Sequence, residues 1–546
     1  SYSSGISIPA KAFCQRGHGW LGKGMRDIIK RPIREATSMV KKKKGITGLT
    51  AILALALVIS GCGSGKEGGN AAAGNGESKA PTDISLLTIY YQKEPPAADN
   101  RILKEVEQRT NTKLDVTWVT PNNFNEKVNV TLASGKLPDL MLVTDTSNAA
   151  FKNMAKQGAF WDLTELIKDY PNLMKFPDIT FTNNKIEGKL YGVPRVRPTE
   201  GNAQPLIRTD WLEKLGLDMP TTMDELYAVM KAFKENAPDG QTGTVGLSGY
   251  VNQGDMGQFT FIQEAFTGTG GKYKAVDGKL VDTTFDPSMR AALEWLRNAY
   301  NDGLIPQDFA LLKHDQAKDM VYAGKAGIFP DKPNQIPAMV KELKAAGKAD
   351  ADLEWTPYLE SANGKYASKG TGHFGLFVIP KSVNEDKVKK LLAFLDYGAS
   401  DEGHELATYG MEGQDFTKDG DNYVLTESAA NDPSFQFMQN IFMKYDKYGN
   451  LGTALPAEKL EYERTLIDQA AEASIANPAS GLITETGSKL GSDYDKKIQD
   501  MKTKVIMNKA SLEQWDALVA ELQADASYQQ IITEMNEAYQ SRNSAK

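Results

Sequence analysis

Between residues 84 and 144, short β-rich runs alternate with amphipathic helical stretches, and this rhythm is the tightest constraint on the fold. Ile84 to Tyr90 reads as a buried strand, Arg101 to Arg109 as a helix and Leu114 to Val119 as a strand; Asn123 to Ala133 is again helical and Asp139 to Thr144 a strand. A β-α-β-α-β succession implies a mainly parallel sheet with helices on its faces. In such sheets ligands gather beyond the carboxyl ends of the strands, which marks Tyr91, Gln92 and Asp145 as candidate contacts.

Gly192, Pro194 and Pro198 then break the rhythm, and a second α/β unit follows. Clustered turn formers at this place suggest a crossing between lobes. Thr222 and Glu225 have capping-box spacing and open a helix that runs to about Asn236. Met289, Ala292, Leu293, Leu296 and Tyr300 share one helical face. His373 to Pro380 reads as a strand and Asp386 to Tyr397 as a helix. Near the C-terminus Ser511 and Gln514 form a second capping box, ahead of an apolar stripe through Leu512, Trp515, Leu518, Val519 and Leu522. Trp118, Trp211, Trp295 and Trp515 sit within apolar patterns and are expected in cores.

The N-terminal end has a different character. Lys41 to Lys44 precede an apolar run from Ile46 to Ile59, which ends in Ile59-Ser60-Gly61-Cys62. A basic start, a short apolar stretch and small residues at a cleavage point make a secretory signal. At roughly 14 residues the run falls short of the ~20 needed to span a bilayer. The tetrapeptide resembles the bacterial lipobox, in which the cysteine is acylated, so Cys62 is the expected lipid attachment site. Residues 1–38 are expected to be untranslated leader with the start at Met39, residues 39–61 a lipoprotein signal peptide, and residues 62–83 a flexible tether rich in Gly, Ala, Asn and Ser.

Charge excludes one class of partner. The net charge of -7 hides 11 basic residues before Cys62; downstream, 52 basic residues face 68 acidic ones. A body that acidic repels nucleic acid. The two cysteines, Cys14 and Cys62, and four scattered histidines offer no zinc pattern. Gly370-Thr371-Gly372-His373-Phe374-Gly375 fits GxGxxG, yet it leads into a strand rather than a helix and reads as a flexible hinge, not a cofactor loop. No cofactor is expected.

Several segments, in order and spacing, resemble family 1 extracellular solute-binding proteins, the large lipoproteins that serve oligosaccharide ABC importers of Gram-positive bacteria. They are Gly135-Lys136-Leu137-Pro138-Asp139-Leu140, Gly188 to Pro194, Ile207 to Leu217, Pro220 to Leu226, Asp302-Gly303-Leu304-Ile305 and Tyr409 to Gly413. The resemblance implies an α/β, two-lobed periplasmic-binding-protein-like fold of type II. Each lobe is expected to be a mainly parallel sheet with flanking helices, hinge-linked, with a helical C-terminus. Residues 84–200 would begin the first lobe, 201–365 the second, 366–400 would return to the first and 401–546 complete the second. Relatives with a calcium loop after the helix ending near Asn236 need several acidic ligands there. Here Pro238 to Gly243 supplies only Asp239, so metal is not expected.

The implied function is capture of an oligosaccharide in the inter-lobe cleft and delivery to membrane permeases by a lipid-anchored, extracellular monomer that is not an enzyme. No ATPase motif is present, so a separate subunit would drive import. A surface glycoside hydrolase is the rival reading, since two carboxylates need no local signature; a sugar-sensing subunit for a membrane kinase is another. A sugar wants a flat aromatic under its C–H face and planar polar groups at its rim. Glu200, Glu264, Asp331 and Trp355 join the candidates on those grounds. Arg195 and Arg197 alternate on an extended segment and should point the same way. They either bind carboxylates as a structural pair or face the cleft as forks for sugar hydroxyls and uronates.

Overall fold

A computed structural model describes residues 80–91, 94–146, 148–420, 422–431, 433–451 and 457–544. The signal, Cys62 and most of the tether lie outside the described residues, as does Gln92. Along the chain, β1 (Thr82–Ile89), α1 (Arg101–Thr110), β2 (Thr112–Val119), α2 (Pro121–Ser134) and β3 (Leu140–Val143) follow the expected alternation. Asn100 caps α1 by accepting from the Ile102 and Leu103 N–H groups, and Gly135 closes α2 in the left-handed conformation that favours glycine. After α3 (Ala149–Lys156) the chain reaches β4 (Gly192–Val196). The segment around Pro194 is thus a strand and not yet the crossing. Proline is tolerated there because β4 lies at the edge of its sheet.

The second lobe contains β5 (Gln204–Arg208), α4 (Met223–Asn236), β6 (Val245–Leu247), α5 (Pro287–Asn301), α6 (His314–Tyr322), β7 (Ala326–Asp331), β8 (Leu353–Trp355) and β9 (Gly364–Lys369). The Thr222/Glu225 capping box opens α4 as expected. The chain returns with β10 (His373–Val378) and α7 (Glu385–Ala399). It then crosses again to α8 (Ala457–Ala473), β11 (Ser474–Ala476), α9 (Glu485–Ile506), α10 (Leu512–Ala524) and α11 (Ala526–Ser544). Among the described residues no helix is long and apolar enough to cross a membrane.

Three large apolar clusters define the two lobes. One gathers residues from 84 to 196 and from 376 to 442. The other two adjoin and draw on 206–367 together with 451–473 and 498–528. Trp211 and Trp515 are buried in the second lobe and Trp295 nearly so, while Trp118 packs on the first.

Two expectations need correction. The sheets are mixed and mostly antiparallel, not mainly parallel. The first is ordered β2-β1-β3-β10-β4, with β10 antiparallel to both β3 and β4. The second is ordered β8-β5-β7-β6, in which only β7 and β6 run parallel. The β-α-β rhythm holds where a helix links two strands; strands arriving from a lobe crossing obey no such rule. Residues 401–442, expected in the second lobe, pack instead into the first through Leu406, Met438 and Phe442. The last crossing therefore lies near 443–450.

Candidate functional site

Because β10 is antiparallel to its neighbours, β1, β3 and β4 all point the same way. Their carboxyl ends meet the start of β10 along one edge of the first lobe. Tyr91, beyond β1, is 54% exposed, and Asp145, beyond β3, is exposed. At the start of β10 the register with β4 shifts between His373 and Leu376. Gly375 has φ +89° there, and a Cβ on it would lie 2.5 Å from the Val143 carbonyl oxygen. Such a bulge re-aims a side chain. Phe374 is left 40% exposed, with the Arg195 guanidinium 5.6 Å from its ring centre.

Arg195 and Arg197 both reach the segment 440–443, and among the described residues neither is ion-paired. Arg195 is 1% exposed. Its Nε donates to the Asn440 carbonyl at 3.1 Å and Nη2 to Asn440 Oδ1 at 3.3 Å, while Nη1 has no hydrogen-bond partner. Arg197 Nη1 meets the Met443 sulfur at 3.5 Å. Burial first, and then the Arg197 charge, push the Arg195 pKa down to about 9, with Tyr91 opposing; it stays charged at neutral pH. Burial lowers Arg197 also. From the second lobe Lys332 follows β7, and burial and then the charge of Arg197 lower its pKa. Three cations from two lobes thus converge, and among the described residues no carboxylate forms an ion pair with either arginine.

The opposite wall is the end of β7 and the start of β5, where Asp331 pairs in register with Gln204. Asp331 is half-buried, 3.5 Å from Lys318 Nζ, and accepts from its neighbour's backbone N–H at 2.8 Å. Gln204 is buried, and its Nε2 donor has no acceptor. A buried donor without a partner costs about 1–3 kcal/mol, so Arg195 Nη1 and Gln204 Nε2 are groups that a ligand oxygen would relieve.

The other sequence candidates sit elsewhere. Glu200 is buried in the crossing, where it accepts from the Thr199 hydroxyl and lies 3.4 Å from Lys369 Nζ. Glu264 accepts from the Gly271 N–H at 2.7 Å and the Tyr366 hydroxyl at 2.8 Å, tying the 260–267 helix to β9; burial raises its pKa. Trp355 is enclosed in the second lobe's core, its Nε1 donating to the Asn202 carbonyl at 3.1 Å. Tyr91, Asp145, Arg195, Arg197 and Asp331 therefore stand at the facing edges, whereas Glu200, Glu264 and Trp355 brace the scaffold. Sequence reasoning passed over Phe374, Lys332, Gln204 and Lys152. None bears a motif, although Phe374 lies inside the glycine cluster already read as a hinge.

A cavity of about 160 Å³ adjoins this edge. Thr146, Lys152, Asn183, Asn184 and His373 wall it from the first lobe, and Ser480 to Ile483 from the second. Among the described residues no three acidic, histidine or cysteine groups are placed to hold a metal ion. Asp239, the single carboxylate of its loop, is taken by the Arg208 and Trp211 side chains.

Two α/β lobes, each discontinuous in sequence and facing one another across a cationic cleft, define a solute-binding protein. Residues 91–405 match the model for bacterial extracellular solute-binding proteins, and the chain belongs to that family. The lipoprotein LipO of Bacillus subtilis (strain 168) is 30% identical over 500 residues, covering 89% of this chain and 97% of its own. The polygalacturonan/rhamnogalacturonan-binding protein YtcQ of the same strain is 31% identical over 502 residues, covering 90% and 97%. An extracellular solute-binding protein of Bifidobacterium longum subsp. infantis superposes with a TM-score of 0.67 at 17% identity, over 85% of this chain and 98% of that one. Membership places the chain among binders of solutes outside the cell, not among enzymes.

Proposed function

We propose that the protein captures a uronate-containing oligosaccharide between its lobes and delivers it to the permease of an ABC importer, held at the outer face of the membrane by a lipid on Cys62. The observation that carries the ligand class is the convergence of Arg195, Arg197 and Lys332, in which no carboxylate among the described residues is ion-paired to either arginine and only Asp331 opposes Lys332. In a body whose acidic residues outnumber basic ones 68 to 52 downstream of Gly61, that is a local inversion of sign. Guanidinium forks match carboxylates bidentately, and Phe374 and Tyr91 supply exposed aromatic surface for sugar rings. The description of YtcQ as a polygalacturonan/rhamnogalacturonan-binding protein supports the same reading.

Calorimetry with an acidic oligosaccharide and its methyl ester tests it. Replacing Arg195 and Arg197 with Gln is expected to weaken the acid by about 10- to 100-fold, or roughly 1.4–3 kcal/mol, and the ester far less. Arg197→Gln alone, at the half-buried member, guards against loss of fold. Equal losses for both ligands would assign the pair to the scaffold.

Anchoring has its own test. Cys62→Ala is expected to release the protein from the membrane fraction or leave its signal uncleaved. Normal cleavage with full membrane retention would remove the lipid from the account.

A further inference from the structure

The cavity beside α3 holds polar groups that the protein leaves incompletely matched. Lys152 Nζ reaches across the cleft to one neutral acceptor, the Gly481 carbonyl, at 3.2 Å. Nearby Lys156 is satisfied by Glu187 at 2.8 Å, whereas Lys152 forms no ion pair among the described residues. On the same cavity lies Asn184, 3% exposed. Its amide donates to the Thr180 carbonyl at 2.7 Å, but its Oδ1 has no donor. One ammonium and one buried acceptor thus wait on the walls of a space of about 160 Å³. A cavity of about 150 Å³ accommodates a benzene, so a single six-membered ring is the right size of occupant.

We propose that this cavity is an end subsite, which takes the terminal acidic ring of the oligosaccharide with its carboxylate on Lys152 Nζ and a ring hydroxyl donating to Asn184 Oδ1. The inference rests on the uronate reading and adds to it. The carboxylate replaces the Gly481 carbonyl as the partner of Lys152, so the inter-lobe contact passes through the ligand. A site closed at this end measures the distance from a chain terminus to the arginines, and polymer that cannot present an end is excluded.

Acid–base behaviour gives a second readout. Burial, and after it the Lys156 charge, push the Lys152 ammonium down to about 8, with Asp145 opposing. His373, on the same cavity, is lowered by burial and is neutral above pH 7; Lys185 is the remaining charged group on the wall. A carboxylate needs the protonated amine. The Lys152 contribution to binding the acid should therefore be full from about pH 5, where the ligand carboxyl is ionised, to about pH 7, and fall about tenfold by pH 9 as the unliganded amine loses its proton.

The test is calorimetry of wild type and Lys152→Met with trigalacturonate at pH 7 and 9, and with its fully methyl-esterified form at pH 7. Lys152→Met is expected to bind the acid 10- to 100-fold more weakly at pH 7, to bind the ester as wild type does, and to fall less than wild type between pH 7 and 9, keeping only the part that Arg195 contributes. Because Lys152 is only half-buried on a helix, thermal melting should be unchanged. Unchanged acid binding in the variant, or equal losses for acid and ester, would overturn the end subsite while leaving the uronate reading intact. Wild-type protein that fails to prefer acid over ester would overturn the uronate reading, and the subsite with it.

Discussion

Gly481→Val is expected to prop the lobes apart and cost about 100-fold in ligand affinity, near 3 kcal/mol. Gly481 has φ +76°, and a Cβ on it would stand 2.1 Å from the Asn183 carbonyl oxygen, which belongs to the other lobe. The loop carrying Gly481 cannot simply recoil. Arg542 on α11 donates to the carbonyls of Ser480, at 2.7 Å, and of Pro478, while the Asn477 side chain accepts from the Ala479 N–H at 2.9 Å. Left-handed backbone adds about 1–2 kcal/mol of local strain for a side chain of this kind. The lobes are the softer coordinate, since interfaces between them shift more readily than packed cores. Small-angle scattering on wild type should show a smaller radius of gyration with saturating ligand, and the variant should not compact. A variant that compacts normally and keeps its affinity would show that the contact plays no part in closure.

The second large effect concerns stability. Asp239→Ala should destabilise the fold by about 3–4 kcal/mol, as expected when one partner of a buried ionic network is removed. Arg208 has no solvent exposure, and it divides its donors between Asp210 and Asp239, with Nε to Asp210 at 2.7 Å and Nη1 to Asp239 at 3.1 Å. Trp211 Nε1 also donates to Asp239, at 3.0 Å, and Lys348 Nζ lies 3.7 Å away. Burial alone would raise the Asp239 pKa, but the Arg208 hydrogen bonds and charge outweigh it and hold the carboxyl below the usual range. The sign follows from linkage: the stabilisation is present at neutral pH, begins to fade near the ordinary carboxylate value of about 4, and is lost as pH falls through the lower folded value. Urea unfolding of wild type at pH 7 and of the variant should differ by that amount with similar slopes. Equal midpoints would mean that the network contributes nothing net.

That loop also shows where sequence reading succeeds. A single carboxylate among Pro238 to Gly243 was visible as too few ligands for calcium. What it binds instead was not visible, because Arg208 and Lys348 arrive from strands and loops far away in the chain. Local grammar was legible throughout: the capping boxes at Thr222 and Ser511 form as their spacing requires, and the 512–522 stripe is buried except for the half-buried Val519. Strand direction was not, since a run such as His373 to Val378 carries the same alternation whether it enters parallel or antiparallel. The helix Asp401–Tyr409 has an apolar face in Leu406 and Ala407, but nothing in that face names the core that will receive it. Glu264 is a candidate in the sequence as a planar polar group for a sugar's rim; its partners, Gly271 and Tyr366, are internal. Lys152 looked like any surface lysine, and only the closure of the second lobe over it makes it otherwise.

The position of β10 has a consequence for how the molecule is made. It lies between β3 and β4, although well over a hundred residues separate it from either. A chain emerging N-terminus first has produced β1, β2, β3 and β4 long before the strand that joins β3 to β4 exists. Until then β3, all four of whose residues are destined for burial, is an unpaired edge, and such edges invite pairing with other chains. Contacts of this sequence separation also slow folding, because the intervening loop must close before they return any energy. The second lobe can nucleate on its own cores meanwhile, so the first lobe should be the last to form even though it is the first to be synthesised. A protein of this topology, exported to the outer surface, depends on whatever shields that edge during the interval.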